Sequence, residues 1–296
     1  MNKKLKKTWV AGAWTLMISL LFVGCTGLNE PAPKQEKLAL PAITKSATHK
    51  YYSGKFVWHD LLTDDVSSVK PFYAGLFGWT FEDKDNYTLV YNDGKLLGGM
   101  MEISPKSESK AESVWLASMS VSNVDSMVAY VEKKKGKVLK GPLDMKERGR
   151  GVLVSDPQGA HIVLLHAKGG DPVDTTPQMG DWLWNELWTN TPNESYEFYR
   201  KLGKYDTTKA KDNYRILKHK GKWRAGLRDI NREGAKARWV PVIRVVDPKT
   251  ITAKVTKLGG KILMEPHASF HNGDVALIKD NRGALLIVQR WMKGDK

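Results

Sequence analysis

Two pairs of residues place an indole and a carboxylate on one face of an expected strand. Trp58 precedes Asp60 by two positions, and Trp184 precedes Glu186 by the same interval. Because side chains alternate across a β-strand, each tryptophan lies on the same face as its carboxylate. An aromatic wall beside one carboxylate suits a flat ligand that is cationic or carries hydroxyl groups. The alternative is that the tryptophans are core residues and that each carboxylate pairs with an arginine or a backbone amide.

Two more tryptophans stand near the start of later strand patterns and widen the candidate set. Trp115 and Trp239 either line the same space or are packed in the core. The alternation of strand side chains does not decide between these two readings. The candidate ligand-binding residues are therefore Trp58, Asp60, Trp115, Trp184, Glu186 and Trp239.

Histidines are the other residues that could do chemistry. His59 lies on the strand face opposite the neighbouring tryptophan, which favours a surface or capping role. His161 and His166 flank a later strand, while His267 and His271 share a loop and lack a third donor for a metal. The single cysteine leaves no thiolate cluster for zinc and no disulfide within the chain. No Gly-rich phosphate loop, nucleophile elbow or His-Glu-x-x-His helix is present.

The N-terminal residues have the pattern of an export signal. Four lysines precede an uncharged apolar run over residues 9–23. As a helix this run reaches roughly 22 Å, short of the ~30 Å hydrocarbon layer, so it predicts a signal peptide and not a membrane span. The following Leu21-Phe22-Val23-Gly24-Cys25 resembles the bacterial lipobox, with Phe22 where leucine is usual. The resemblance implies lipidation of Cys25, and the alternative is an ordinary signal peptide with an incidental cysteine.

Charge and composition limit the classes of partner that we expect for the mature chain. Residues 26 to about 50 contain prolines and many polar residues without sustained periodicity, which predicts a tether. The formal net charge is +15, and removal of residues 1–24 leaves +11. Such a surplus attracts anions, including lipid headgroups and acidic polysaccharide. No dense basic stripe with interleaved aromatic residues occurs, so no specific nucleic-acid partner is expected.

The chain contains an internal repeat. Residues 55–63 return as residues 181–189 at an offset of 126, which places Trp58 on Trp184 and Asp60 on Glu186. Further landmarks recur at offsets of 126 or 124, namely Phe72-Tyr73 with Phe198-Tyr199, Trp115 with Trp239, and Asp156-Pro157-Gln158-Gly159-Ala160 with Asp280-Asn281-Arg282-Gly283-Ala284. Two copies of one domain therefore account for nearly all of residues 54–292.

Within the first copy, the periodicity changes in a fixed order. A strand pattern over 55–62 precedes helical spacing over 64–77, with Asp64 or Asp65 as N-cap and Gly78 as terminator. Two strands then flank a turn at residues 92–95. The pattern restarts with the remaining elements, which are a strand at 115–121, a helix at 124–135 and strands at 137–140, 150–155 and 161–166.

This order of elements resembles the vicinal oxygen chelate superfamily of glyoxalases, bleomycin-resistance proteins and dioxygenases. The motifs that carry the resemblance are Phe-Tyr-x-x-Leu-Phe-Gly-Trp at 72–79 and Asp-Pro-Gln-Gly-Ala at 156–160. The resemblance implies an α+β fold of two tandem glyoxalase-like domains, each a pair of βαβββ modules with curled mixed or antiparallel sheets around a cavity. The implied boundaries are a lipoprotein signal peptide at 1–24, a linker at 25–53, domains at 54–168 and 181–292, and a linker at 169–180.

Metal-using members of this superfamily place His, Gln or Glu at matching strand positions. The resemblance implies eight such positions in this chain, four in each copy. They are occupied by residues whose side chains cannot bind a metal, namely Trp58, Trp184, Gly98, Ala225, Leu116, Val240, Val163 and Ile287. No cofactor is therefore predicted. A register error of one residue would move His59 onto a ligand position. The alternative is then a divalent-metal lyase, isomerase or dioxygenase that uses the displaced donors His59, Asp60 and Glu186.

Taken together, these patterns predict a lipoprotein of the bacterial cell envelope that binds a small molecule without a metal. If the family orientation holds, Trp58 with Asp60 and Trp184 with Glu186 point into the two cavities. Two rivals stay open, since the superfamily includes enzymes as well as binding proteins. One is the metal-dependent enzyme, and the other is an envelope scaffold whose basic surface holds an anionic polymer or a protein partner.

Overall fold

The computed structural model describes residues 39–104, 112–206 and 208–292. Within them each copy of the repeat forms its own mixed sheet. The elements of the first copy are β1 (Phe56–Thr63), α1 (Val66–Phe77), β2 (Thr80–Lys84), β3 (Tyr87–Asn92), β4 (Lys95–Glu102), β5 (Val114–Ser120), α2 (Val124–Lys133), β6 (Lys137–Asp144), β7 (Gly149–Ser155) and β8 (His161–Ala167). The elements of the second copy are β9 (Trp182–Thr189), α3 (Pro192–Gly203), β10 (Tyr214–His219), β11 (Lys222–Asp229), β12 (Arg238–Val245), α4 (Pro248–Val255), β13 (Lys261–Met264), β14 (Val275–Lys279) and β15 (Leu285–Arg290).

Both sheets have the same plan. The first runs in the order β2-β3-β4-β1-β5-β8-β7-β6, and the second runs β10-β11-β9-β12-β15-β14-β13. At the centre of each sheet the first strands of the two modules pair antiparallel, β1 with β5 and β9 with β12. Two tandem domains built from paired strand–helix–strands modules are therefore confirmed. The third module differs in that no counterpart of β2 occurs among its described residues, so the second sheet has seven strands.

Local signals in the sequence set the element boundaries. The Asp65 carboxylate accepts a hydrogen bond from the Ser68 amide at 3.0 Å and so caps α1. Gly78 ends that helix in the left-handed conformation, at a φ of 73°. The turn between Asn92 and Lys95 joins β3 to β4 as predicted. The predicted helix N-cap, helix terminator and hairpin are thus confirmed.

The two copies share their helical cores. The core that contains α1 of the first copy also contains α4 and strands β12, β14 and β15 of the second copy. The other core joins α2 of the first copy to α3, β9 and β11 of the second copy. Each domain therefore buries its helical face against the other domain, and the opposite face of each sheet is left for a ligand site.

A buried hydrogen-bond chain links each copy to the other. The Trp115 indole donates to the Tyr73 hydroxyl at 2.7 Å, and Tyr73 donates to the Asp280 carboxylate at 2.8 Å. The repeat generates the matching chain, in which Trp239 donates to Tyr199 at 3.0 Å and Tyr199 donates to Asp156 at 3.0 Å. The tyrosine of one copy thus always bonds the aspartate of the other.

The Asp-x-x-Gly-Ala turns position these two aspartates. In the second copy, Asp280 Oδ1 accepts hydrogen bonds from the amides of Arg282 and Ala284, and Gly283 adopts a φ of 100°. That φ favours glycine, since a β-carbon is rarely accommodated there. With Oδ1 held by its own turn, Oδ2 is the oxygen that reaches across to the partner tyrosine.

Equivalent positions of the repeat also meet at the interface of the two copies. His59 Nε2 lies 3.1 Å from the Asn185 side-chain oxygen, which makes Nε2 the donor because that oxygen can only accept. The His59 ring stacks on Trp182 at 4.2 Å and is 3% exposed. Burial lowers the pKa of His59 to about 4, so the imidazole is neutral in the folded protein.

The segment before β1 packs on the first sheet and does not stand apart as a tether. Leu40 and Ile43 are buried, and the Leu40 amide donates to the Met145 carbonyl at 3.3 Å. The prediction of a linker over 25–53 is therefore corrected from residue 39 onward. The predicted signal peptide and Cys25 lie outside the described residues. None of the helices within the described ranges is both long and apolar enough to cross a bilayer.

Loss of one cross-copy hydroxyl should destabilise the whole fold. Tyr199→Phe leaves the buried Asp156 without this donor, so the free energy of unfolding should fall by about 1–3 kcal/mol. Urea denaturation followed by circular dichroism measures it. The control is Tyr91→Phe, because that hydroxyl donates to Glu82 at an exposed site and should cost under about 1 kcal/mol. Equal losses in the two variants would contradict the role of the chain.

The buried neutral imidazole should make stability depend on pH. His59 has a pKa of about 4 when folded and 6.5 as a free side chain, so the unfolded chain binds the extra proton first. Stability should therefore fall as the pH drops from about 6.5 to 4, by about 3 kcal/mol in total. His59→Asn, which copies the residue of the second domain, should remove this component. Identical slopes of unfolding free energy against pH in the two proteins would refute it.

Candidate functional site

In the first sheet, the predicted pair lies inside a closed cluster. Asp60 accepts hydrogen bonds from the Trp58 indole at 2.9 Å, from the Tyr87 hydroxyl and from Arg148 at 3.3 Å. The Arg148 guanidinium also lies 4.4 Å from the centre of the Trp58 ring. All four residues are buried. Burial, followed by the Asp60 charge, raises the pKa of Tyr87, so its hydroxyl stays a proton donor.

The space above this cluster is filled by the chain itself. Leu40, Ile43 and Met145 pack against Trp58 in one apolar core. Arg148 Nε also donates to the Pro41 carbonyl at 2.8 Å, which fixes the incoming segment. We call this closed face of the first sheet cup 1. Trp58 and Asp60 are structural here, in agreement with the alternative reading that the carboxylate pairs with an arginine.

The equivalent face of the second sheet, cup 2, is open. A cavity of about 1480 Å³ runs over it and continues into the cleft between the two copies. Val275 and Ile287 line this cavity, and they belong to an apolar cluster with Val240 and Val242. Its lining Phe, Tyr and Trp residues are Phe56, Trp182, Trp184, Trp188, Tyr214, Trp223, Phe270 and Trp291.

Glu186 is the central carboxylate of cup 2, and hydrogen bonds occupy all of its lone pairs. Its Oε1 accepts from the Tyr214 hydroxyl at 2.9 Å and from Arg228 Nη2 at 3.3 Å. Its Oε2 accepts from the Trp188 indole at 3.0 Å and from Arg228 Nε at 3.1 Å. A carboxylate offers about four acceptor sites, and all are used. Burial and then the Glu186 charge raise the pKa of Tyr214, which keeps this hydroxyl protonated.

A glycine on the neighbouring strand makes room for each of these tyrosines. A β-carbon at Gly226 would lie 1.9 Å from the Tyr214 hydroxyl, and one at Gly99 would lie 1.9 Å from the Tyr87 hydroxyl. Both positions therefore require glycine. The repeat contained this signal, since an offset of 127 maps Tyr87 onto Tyr214 and Gly99 onto Gly226.

The arginines could not be found in the same way. Arg148 lies next to β7, whereas Arg228 lies on β11, and no repeat offset maps one onto the other. The two carboxylates are thus neutralised from different strands. Sequence reasoning missed both arginines because only the folded sheets bring them beside the aspartate and the glutamate.

Trp184 behaves differently from its counterpart in cup 1. Its indole Nε1 is buried and has no hydrogen-bond partner, whereas the Trp58 indole donates to Asp60 in cup 1. In cup 2 it is the Trp188 indole that donates to the carboxylate of Glu186. The Trp184 ring lies 6.1 Å from the Trp223 ring at an angle of 27°. Trp223 is 47% exposed, so it stands at the mouth of the cavity.

The expectation that Trp115 and Trp239 line the same space is wrong. Trp115 packs against Tyr73 and Trp79 on the helix-covered face of the first sheet. Trp239 packs in the same manner against Tyr199. Both indoles face the shared cores because, on their strands, they alternate away from the cups.

The histidines lie apart from one another. His166 Nδ1 lies 3.1 Å from the Val121 carbonyl oxygen, and its ring stacks on Tyr51 at 4.6 Å. His161 is half-buried at the start of β8, and burial lowers its pKa. His267 and His271 are exposed, and His271 contributes to the rim of the cavity.

The donor set does not fit the divalent metal that the superfamily resemblance implies. Across residues 39–104, 112–206 and 208–292, no three His, Cys, Asp or Glu side chains are grouped to hold an ion. The proposed alternative of His59, Asp60 and Glu186 is wrong as a set. His59 pairs with Asn185 between the copies, whereas the two carboxylates lie in separate cups and are each bound by an arginine.

One carried-over position also needs a correction of register. Ala225 packs in a helical core, and the residues of β11 that line the cavity are Lys222, Trp223, Arg224 and Arg228. None of these side chains is a metal ligand in ordinary proteins. The correction therefore leaves the conclusion about the donor set unchanged.

Comparisons with known proteins find relatives along most of the chain. Relatives include a protein provisionally named a glyoxylase, CFP32 of Mycobacterium bovis, which is 27% identical over 81% of this chain and 95% of its own length. The anthracycline biosynthesis protein DnrV of Streptomyces peucetius is 26% identical over 83% of this chain and 96% of its own length.

Solved structures share the fold at low sequence identity. The Mn(II)-bound glyoxalase of Novosphingobium aromaticivorans superposes with a TM-score of 0.56 and 12% identity, over 82% of this chain and 84% of that one. An extradiol ring-cleaving dioxygenase of Brevibacterium fuscum superposes with a TM-score of 0.56 and 13% identity, over 86% and 75%. Residues 55–164 match the model of the Glyoxalase/Bleomycin resistance protein/Dioxygenase superfamily. The first copy of the repeat therefore matches a domain of this superfamily, and the solved structures share the fold of the chain.

Proposed function

We propose that the protein binds a small molecule with a flat aromatic ring in cup 2, without a metal, and that cup 1 is structural. The observation that carries the proposal is the contrast between two equivalent faces of one repeat. Cup 1 is filled by Leu40 and Ile43, whereas cup 2 keeps a cavity of about 1480 Å³. Pockets for drug-sized ligands usually have about 300–1,000 Å³, so the space is sufficient.

The walls of cup 2 suit stacking. Trp184 and Trp223 present ring faces, and Tyr214 lies 6.1 Å from Trp184. Glu186 has all its acceptor sites used, so it serves to hold the aromatic wall and not to accept a proton or an ion. Two relatives are named for anthracycline biosynthesis, and anthracyclines are planar multi-ring compounds, which supports a ligand of this shape.

Binding should quench tryptophan fluorescence in a manner that depends on Trp184. Titration of the full chain with anthraquinone-2-carboxamide, a neutral planar probe, should give saturable quenching. Trp184→Phe should weaken the affinity by about 5–10-fold, because a smaller ring loses stacking area and about 1–1.4 kcal/mol. The matched control is Trp58→Phe, the same change in the closed cup, which should leave the dissociation constant unchanged. No saturable binding, or equal losses in both variants, would contradict a site in cup 2.

We further propose that the chain is anchored in a bacterial envelope through a lipid on Cys25. The support is the lipobox-like Leu21-Phe22-Val23-Gly24-Cys25 after an apolar run. Ala39, where the described residues begin, lies 14 positions after Cys25, which limits the reach of the connecting chain to about 50 Å. Cup 2 would then operate close to a membrane surface.

Lipidation predicts a membrane fraction that disappears with the thiol. The full chain, expressed in a bacterium, should partition into the detergent phase of Triton X-114 and incorporate labelled palmitate. Cys25→Ser should abolish both, because the serine hydroxyl does not replace the thiol as the lipid acceptor. Unlabelled protein that stays in the aqueous phase, cleaved or not, would overturn the anchoring proposal without affecting ligand binding.

A further inference from the structure

We infer that the ligand of cup 2 carries an anionic oxygen group, such as a carboxylate, attached to its aromatic ring. This inference rests on the proposed function of cup 2 and adds the chemical class of the ligand. Three observations support it, namely the pairing of every carboxylate in the cavity wall, the surplus of cations there, and two buried N–H groups without an acceptor.

Every carboxylate that lines the cavity is already bound to a cation. The ion pairs are Glu186 with Arg228 at 3.1 Å, Asp174 with Arg224 at 2.7 Å and with Lys55 at 2.9 Å, Asp181 with Lys95 at 2.6 Å, and Asp274 with Arg290 at 2.6 Å. A cationic ligand would therefore have to displace a lysine or an arginine. The cationic ligand that the sequence suggested for an aromatic wall beside a free carboxylate is thus disfavoured.

The wall also holds more cations than carboxylates. Asp174 alone serves both Lys55 and Arg224, and Lys222 and Lys45 line the cavity in addition to the paired cations. Burial opposes ionisation of Asp174, but the hydrogen bonds from Arg224 and Lys55 outweigh it and lower the pKa of Asp174 to about 2. Asp174 is then ionised at neutral pH, and one charge is left over beside it to attract an anion.

Two buried N–H groups of the wall have no partner. They are Trp184 Nε1 and Arg224 Nε. Gly226 on β11 pairs with Glu186 on the parallel strand β9, and Arg224 and Trp184 lie two positions before them on the same two strands. A register shift in the β10–β11 ladder leaves Arg224 without a ladder partner between Trp223 and Ala225, and both Arg224 and Trp184 line the cavity. Buried donors are costly without an acceptor, and oxygens brought by the ligand would satisfy them.

Two other unpaired buried atoms belong to residues that line the cavity. They are His59 Nδ1 and Asn185 Nδ2, whose side chains pair with each other between the copies through other atoms. Trp223, which is 47% exposed, stacks on Trp184.

The decisive experiment compares two probes that differ only in charge. The dissociation constants of anthraquinone-2-carboxylate and anthraquinone-2-carboxamide are measured by fluorescence titration of the full chain at low salt. The carboxylate should bind about 10-fold more tightly, because hydrogen bonds to a charged group are the stronger ones. The preference should shrink in 0.5 M salt, since screening weakens the attraction of the surplus cations.

Arg224→Met tests the residue itself. This variant should lose the carboxylate preference by about 10-fold, and an unchanged circular dichroism spectrum shows that the variant folds. The control is Arg200→Met, which removes an equal charge on α3, where Arg200 pairs with Glu197 outside the cavity. The preference should survive there.

The outcomes distinguish failure of the anionic ligand class from failure of ligand binding in cup 2. If the carboxamide binds in cup 2 and the carboxylate binds no more tightly, the anionic class is wrong and the binding function stands. If the preference persists in Arg224→Met, the assignment to the unpaired donors is wrong. If neither probe binds the full chain, the proposed function fails together with this inference.

Discussion

The hydrogen bond from a tyrosine of one copy to an aspartate of the other is the constraint on which this fold depends. Tyr73 reaches Asp280 and Tyr199 reaches Asp156, each in a core that contains helices and strands of both copies. Because the copies bury their helical faces against each other, neither has a complete apolar core alone. This arrangement turns both cups outward and leaves them free to diverge.

The two cups differ although they are equivalent parts of one repeat, and the shared helical cores stabilise the fold without them. Both keep a tyrosine bonded to a first-strand carboxylate, with a glycine beside it to make room. In cup 1 the carboxylate binds Arg148, and the preceding segment covers the cluster with Leu40. In cup 2 the carboxylate binds Arg228, and the cavity stays open. Equivalent residues of the repeat thus form a structural cluster in cup 1 and part of a candidate ligand site in cup 2.

The absence of a metal-binding constellation among the described residues follows from the way the carboxylates are used. Metal coordination needs oxygen or nitrogen lone pairs that converge on one point. In cup 2, Glu186 directs all of its lone pairs to Arg228, Tyr214 and Trp188. His59, on the central strand of the first sheet, pairs with Asn185 at the interface of the copies. The superfamily fold is retained here with a different internal chemistry.

The amino-acid sequence determined the repeat, the order of elements and the resemblance to the superfamily, because hydrophobic periodicity, turn residues and the Asp-x-x-Gly-Ala landmarks are local signals. It also placed Trp184 and Glu186 on one strand face. Only the tertiary structure decided that Trp115 faces a core, that cup 1 is closed and that Arg224 and Trp184 line one cavity. Those facts depend on which strands become neighbours and which segment covers a face, and such long-range contacts have no signature in the spacing of residues along the chain.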